Sequence, residues 1–107
     1  MGVYLALSTA SSEKEGKKIA QHLLREGLAA CVNVVPRISS FFFWEGKLCE
    51  EQEVLILAKT EKGKINKIIR KIKAIHSYSV PEILFLKVAG GNVEYLKWVE
   101  RMTGKKN

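Results

Sequence analysis

The spacing of apolar residues changes from one segment of the chain to the next, and each spacing predicts a different element. Residues 2–9 are short and almost uniformly apolar, which is typical of a strand covered on both faces. Apolar residues then recur at three- and four-residue steps until Gly27, which predicts an amphipathic helix. Ser12 and Glu15 have the spacing of a capping box at its start. Its apolar stripe consists of Ile19, Ala20, Leu23 and Leu24.

The middle of the chain predicts a long β-hairpin. Segment 29–35 is an apolar strand interrupted only by Asn33, and Pro36 then bends the strand or marks it as an exposed edge. An aromatic run leads into a Glu-Gly pair at 45–46, where glycine can adopt the left-handed conformation of a tight turn. The return arm continues to Thr60, which we also expect to cap the next helix. The aromatic run consists of Phe41, Phe42, Phe43 and Trp44.

The second half of the chain contains the clearest helical pattern, with isoleucines at helical spacing and lysines between them. A Ser-Val-Pro segment at 79–81 breaks this pattern, residues 82–88 predict a fourth strand, and Asn92 is placed to cap a last helix. The order βαββαβ plus a short helix is that of a ferredoxin-like α+β sandwich. We therefore expect residues 1–107 to form one domain of this class. The isoleucines are Ile65, Ile68, Ile69, Ile72 and Ile75.

Composition narrows the class of protein. With 47% hydrophobic and 27% charged residues, the chain is ordinary for a globular domain and unlike a disordered one. No apolar run approaches the ~20 residues of a membrane span, and no signal-like segment begins the chain, so we expect a cytoplasmic protein. Cys31 and Cys49 lack the spacing of a metal site, and we expect free, buried thiols.

The net charge of +7 raises the question of a polyanionic partner. The positive charge is concentrated in the second predicted helix, whereas the middle of the chain is acidic. A basic helix face is more often solvated surface than a binding stripe. We therefore do not expect nucleic acid as a specific partner, and any association should disappear as salt is raised.

Both faces of the predicted sheet are apolar. With both crossover helices on one face, the strands should show alternating apolar and polar residues, because the other face meets water. Leu5 and Leu7 instead flank Ala6, so apolar side chains point to both faces of the sheet. Both faces must then be buried against other elements or another chain. The hairpin is longer than a typical strand pair, and its tip carries four of the nine aromatic residues. We therefore expect the chain to form an oligomer.

The junction of the second helix and the fourth strand holds the best local candidate for chemistry. His76, Tyr78 and Glu82 lie close together there, and imidazole with carboxylate suits Cu(II) or Zn(II). Further ligands would have to come from elsewhere in the fold or from another subunit. The alternative is a structural histidine that ends the helix, where its charge complements the dipole. Lys59 either has a functional role or is simply exposed to solvent. Asn33 lies within an apolar strand, where its amide needs hydrogen-bond partners.

Motifs for catalysis are absent from the sequence. It contains neither GxGxxG nor a P-loop. A nucleophilic pair of Cys31 or Cys49 with His76 would lack a third member and an oxyanion motif. We therefore expect a binding or assembly protein rather than an enzyme, with no organic cofactor.

Five separated segments form an ordered set that spans nearly the whole chain. They are 29–34 (AACVNV), 40–47 (SFFFWEGK), Glu53 with Lys59 and Thr60, 76–83 (HSYSVPEI) and 95–98 (YLKW). Together they resemble the CutA divalent-cation tolerance proteins. The resemblance implies a homotrimer of ferredoxin-like subunits with intersubunit sheets, a loose association with copper or other divalent cations, and no established enzymatic reaction.

The chain departs from the family's pattern near the candidate metal site. Ser79 stands where the family usually has a glutamate, and Phe42 stands where a tyrosine is common. Ser8 stands where some members carry a cysteine suited to copper, and Ile75 where some carry a second histidine. The candidate metal ligands that still match the family are His76 and Glu82.

The resemblance leads to the hypothesis of a trimeric, metal-responsive binding protein that holds Cu(II) or another divalent cation weakly. We expect the cleft between its subunits to be lined by Trp44, Lys59, Tyr78 and Asn33, with Phe41, Phe42 and Phe43 joining Trp44 in the interface. One alternative is a trimeric anion or nucleotide sensor that resembles the PII signalling proteins. Another is an RNA-binding βαββαβ module, but the third strand has apolar residues at 54–58 where such modules need an aromatic platform.

Overall fold

Residues 2–104, which the computed structural model describes, form four strands and three α-helices in the predicted order. No helix in this range is long and apolar enough to cross a membrane. A short 3-10 helix, Lys62–Lys64, precedes the second α-helix. The strands are β1 (Val3–Ala10), β2 (Cys31–Trp44), β3 (Lys47–Glu61) and β4 (Ile83–Lys87). The helices are α1 (Glu13–Arg25), α2 (Ile65–Ile75) and α3 (Val93–Thr103).

The strands form one antiparallel sheet in the order β2-β3-β1-β4, so that β2 and β4 are its edges. Helices α1 and α2 cover one face of this sheet, as the isoleucine and leucine stripes predict. This arrangement confirms the expected ferredoxin-like α+β class. The core between the helices and the sheet includes Ala6, Ile56, Ile19, Leu23, Ile68 and Ile72.

The helix starts follow the predicted chemistry at α1 but not at α2. Ser12 Oγ accepts a hydrogen bond from the Glu15 amide at 3.1 Å, which confirms Ser12 as the cap of α1. The expectation that Thr60 caps the second helix is wrong, because β3 continues through it. Thr60 is buried, and its hydroxyl donates to the Leu28 carbonyl at 2.7 Å. The carboxylate of Glu61 instead accepts from the Gly63 amide at the start of the 3-10 helix.

Strands β2 and β3 form the long hairpin that the sequence predicts. A bulge between Val35 and Ile38 interrupts their register, and Arg37 within it has a φ of 59°, so Pro36 does mark a bend. At the tip, Glu45 and Gly46 have φ values of 50° and 78°. Two consecutive positive φ angles are those of a type I′ turn, whose twist matches that of the paired strands.

The sheet face opposite α1 and α2, here called the open face, is lined by leucines. Strand alternation places these leucines away from the core that contains Ala6 and Ile56. Helix α3 packs against β1 and β3 and buries Val99 completely, but Leu84 and Leu86 of β4 remain 54% and 50% exposed. The prediction that both faces are apolar is confirmed. The leucines of the open face are Leu5, Leu7, Leu55, Leu57, Leu84 and Leu86.

Candidate functional site

A groove of about 620 Å³ lies between the hairpin and the α2–β4 loop (residues 76–82), and we call it the aromatic groove. Aromatic side chains of β2 line it from the hairpin, and the loop contributes the opposite residues. Glu53 of β3 also lines it. The structure therefore brings together the expected cleft residues Trp44 and Tyr78 with the candidate ligand Glu82. The expected interface residues Phe41 and Phe42 also line the groove, together with Val80 of the loop.

Tyr78 connects the loop to the hairpin. Its hydroxyl donates a hydrogen bond of 2.7 Å to Glu53 Oε2, and Glu53 is only 9% exposed. Burial, and then the neighbouring carboxylate of Glu53, raise the pKa of Tyr78 above its ordinary value. The hydroxyl therefore stays protonated and continues to donate at physiological pH.

We expect Tyr78→Phe to lower the free energy of unfolding by about 1.5–3 kcal/mol, because it removes a hydrogen bond to a mostly buried carboxylate. Urea unfolding measures this loss. The control is Tyr4→Phe, which removes the same hydroxyl from a half-buried tyrosine of β1 that donates no hydrogen bond to residues 2–104. Equal unfolding free energies for the two variants would contradict the role given to the Tyr78–Glu53 bond.

His76 begins the loop, and its side chain has no exposed surface. Its Nε2 is 2.7 Å from the Thr9 carbonyl oxygen, and its Nδ1 accepts a hydrogen bond of 3.0 Å from the Tyr78 amide. Because a carbonyl only accepts, Nε2 carries a hydrogen, and because Nδ1 accepts from the Tyr78 amide, Nδ1 carries none. Both ring nitrogens are therefore engaged within the protein. This geometry matches the structural histidine that the sequence left open as an alternative.

Glu15 holds the loop to the start of α1. Its carboxylate accepts hydrogen bonds from the amide and hydroxyl of Ser77, at 2.7 and 3.0 Å, and from the amide and hydroxyl of Ser11. Burial would raise the pKa of Glu15, but these hydrogen bonds outweigh it and lower the pKa to about 2. The sequence indicated only a capping box for this residue. Its partner Ser77 lies 62 positions away, and no local pattern signals the pair.

Lys59 and Asn33 occupy a different part of the sheet from the aromatic groove. Lys59 donates to Asn33 Oδ1 across the β2–β3 pair, so a neighbouring strand supplies the partner that Asn33 was expected to need. Lys59 Nζ is also 3.8 Å from Cys31 Sγ. Both cysteines are free, as expected, but they are half-buried rather than buried. Lys59 is six residues beyond Glu53 along β3, which corresponds to about 20 Å. Within one chain, the residues expected to share a cleft thus form two groups.

The described residues do not form a metal site within one chain. No group of three or more His, Cys, Asp or Glu side chains in residues 2–104 is placed to hold a metal ion. Coordination by His76 would require the loss of one of its two hydrogen bonds. The donor set of a single chain therefore does not fit a resident ion. A bound cation would need ligands from a second chain.

The aromatic residues of the hairpin tip are largely uncovered. Phe41, Phe43 and Trp44 are 63%, 74% and 65% exposed, and Leu48 across from them is similarly open. Contiguous exposed apolar surface of this kind is typical of interaction sites.

Comparisons with a family model, with relatives and with solved structures all indicate the same family. A model of the family described as "CutA1 divalent ion tolerance protein" matches residues 4–102. A relative from Thermus thermophilus named "Divalent-cation tolerance protein CutA" is 45% identical over 100 residues, which are 94% of this chain and 97% of that protein. A rice relative, "Protein CutA 1, chloroplastic", is 40% identical over 95 residues, or 89% of this chain, and the match spans 54% of its length. The crystal structure of CutA1 from Oryza sativa has a TM-score of 0.94 at 37% identity, and the match covers 96% of this chain and 94% of that one.

Proposed function

The chain belongs to the CutA1 divalent ion tolerance family, and on this premise we propose that it is a homotrimeric, metal-responsive binding protein rather than an enzyme. The observation that carries the proposal is the aromatic groove, which combines uncovered apolar walls with the polar groups of Glu53, Tyr78 and Glu82. The names of the relatives described above refer to divalent-cation tolerance or to CutA, and none of them names a reaction.

Assembly into a homotrimer is supported by the surfaces that one chain leaves uncovered. The hairpin tip and the leucines of the open face are exposed together, and burial of each large apolar side chain is worth roughly 1.5–3 kcal/mol. The sheet also ends in two edge strands, β2 and β4, whose outer backbone groups can pair with another chain. Other copies of the same chain can bury these apolar side chains and pair with the edge strands. The number three comes from the family resemblance.

The proposed cation is Cu(II) or another divalent ion, held weakly in the cleft between subunits. The ligands that we propose are His76 and Glu82, with further donors from a neighbouring subunit. Glu82 is exposed and lines the aromatic groove, so its carboxylate is accessible to an ion. His76 would first have to release the Thr9 carbonyl or the Tyr78 amide. This step costs free energy, which is why we expect weak binding.

We expect Glu82→Gln and His76→Ala each to weaken Cu(II) binding by about tenfold, the equivalent of one ligand interaction worth about 1.4 kcal/mol. Titration calorimetry on the assembled protein at two pH values measures the affinity, because protons compete with a metal ion for its ligands. Glu94→Gln, at an exposed position of α3, is the control. If all four proteins bind copper equally, neither proposed residue is a ligand.

A cytoplasmic location is part of the proposal. The rice relative is named as chloroplastic. Cell fractionation with an antibody against this chain would test the location independently of metal binding.

A further inference from the structure

A second groove lies on the helical side of the sheet, between the end of α1 and the length of α2, and shares no lining residue with the aromatic groove. Its volume is about 460 Å³, which is within the size range of small-ligand sites. Leu28, which is buried, and Ala74 provide apolar surface in it. We call it the basic groove, because its other residues are mainly cationic. These cations are Lys64, Lys67, Arg70 and Lys71.

The basic groove has more positive charge than its own carboxylate can neutralise. Glu26 is the single acidic residue among those that line it, and Lys71 Nζ binds this carboxylate at 2.7 Å. The hydrogen bond from Lys71 lowers the pKa of Glu26, which keeps the pair ionised. In the described part of the chain, no carboxylate lies within 4.0 Å of the cations of Lys64, Lys67 or Arg70. Three cations therefore face the groove without an acidic partner.

The spacing of these cations along the helix determines the shape of anion they suit. Lys64 ends the 3-10 helix that leads directly into α2, and Lys67 and Lys71 follow it at steps of three and four residues. The three lysines therefore lie on one side of this helical segment. At 1.5 Å per residue they span about 10 Å along its axis. A single phosphate would contact only part of this array. A linear anion with several charged groups in a row can contact all of it.

We propose that the basic groove binds an anion with a chain of linked phosphates, either inorganic polyphosphate or the phosphate tail of a nucleoside triphosphate. Arg70 presents a planar guanidinium that can bind two phosphate oxygens at once, and the lysines add point charges on either side. The groove is formed by the helical layer, whereas the surfaces expected to join subunits are the hairpin and the open face. The inference therefore does not depend on the proposed function.

The competing explanation is a solvated basic surface that attracts any polyanion through the net charge of +7. Location separates the two explanations, because binding in the groove depends on where a charge is removed and general attraction depends only on how many are removed. The double variant Lys67→Gln/Arg70→Gln removes two positive charges from the groove. Lys97→Gln/Arg101→Gln removes the same charge from exposed positions on α3 and is the matched control.

Titration calorimetry of the full chain with inorganic tripolyphosphate at 50 mM salt is the experiment. We expect the groove variant to lose affinity by about tenfold or more and the α3 variant by less than about twofold. Glu26→Gln should raise affinity by about threefold, because it removes the negative charge of the groove and frees Lys71. A variant that merely disturbed the fold would not bind more tightly.

The same titration with ATP distinguishes the two sources of the phosphate chain. Equal affinity for ATP and tripolyphosphate assigns recognition to the phosphates alone, and tighter binding of ATP assigns a contact of the nucleoside with Leu28 and Ala74. The proposal is overturned if wild type shows no saturable tripolyphosphate binding at 50 mM salt, or if both double variants weaken binding equally. It is also overturned if single-stranded RNA binds at 200 mM salt while tripolyphosphate does not bind at all.

Discussion

Replacing Trp44 with alanine is expected to prevent assembly and to destabilise the assembled protein by about 3–5 kcal/mol per site. In one chain Trp44 is 65% exposed, so the same replacement in a monomer would change stability by no more than about 0.5 kcal/mol. The large effect arises only if a neighbouring subunit buries the indole, and symmetry repeats it at each copy. The size of the loss therefore reports directly on the proposed interface.

Analytical ultracentrifugation at low micromolar concentration, with urea unfolding of the same samples, measures both parts of this prediction. Wild type should sediment at about 36 kDa, three times the chain mass of 12.1 kDa. Val93→Ala, at an exposed apolar position of α3 outside the hairpin, should assemble like wild type. A stable, folded wild-type monomer of 12.1 kDa would rule out the interface and the function proposed for the cleft that it creates.

Glu15→Gln is expected to lower the free energy of unfolding at pH 7 by about 3 kcal/mol. The carboxylate has a pKa of about 2 in the folded protein, against an ordinary value of 4.5, because Ser77 and Ser11 donate hydrogen bonds to its ionised form. Since the folded pKa is the lower one, this stability is fully present above about pH 4.5 and is lost as the pH falls toward 2. The difference between wild type and variant should therefore shrink to about 1 kcal/mol at pH 3.

Urea unfolding at pH 7 and pH 3, at one fixed protein concentration, provides this comparison. Glu13→Gln is the control, because Glu13 is an exposed residue in the same turn and its ion pair with Lys17 is on the surface. Such pairs contribute about 0–1 kcal/mol. If the two variants show the same pH dependence, the hydrogen bonds of Glu15 do not hold the α2–β4 loop as the structure indicates.

The Glu15 and Tyr78 bonds together explain how the aromatic groove keeps its shape. Glu15 attaches the loop to α1 through Ser77, and Tyr78 attaches it to β3 through Glu53. His76, which precedes Ser77 in the loop, bonds to β1 through the Thr9 carbonyl. Each bond joins the loop to a different element, so loss of one should loosen the loop without unfolding the helical layer beneath it.

Local patterns in the sequence determined the order of elements and the class of fold. They also predicted apolar surface on the hairpin and on both faces of the sheet. Helical spacing of Ile68 and Ile72 and the Glu-Gly turn at 45–46 act within a few residues, and the structure agrees with both. Periodicity and turn chemistry are properties of neighbouring residues, so they can be read without knowing the path of the chain. The same reasoning failed at Thr60, where pairing in β3 overrode the preference of a threonine for a helix start.

The composition of the candidate site was decided only by the tertiary structure. The sequence could group His76, Tyr78 and Glu82, but it did not show that both nitrogens of His76 are occupied or that Glu53 accepts the hydroxyl of Tyr78. It also did not show that Glu15 contacts Ser77 from 62 positions away. Such bonds depend on which elements the crossovers of the chain bring side by side. The order of strands in the sheet and the direction of each side chain determine these bonds, and the local spacing of residues encodes neither the strand order nor the side-chain direction.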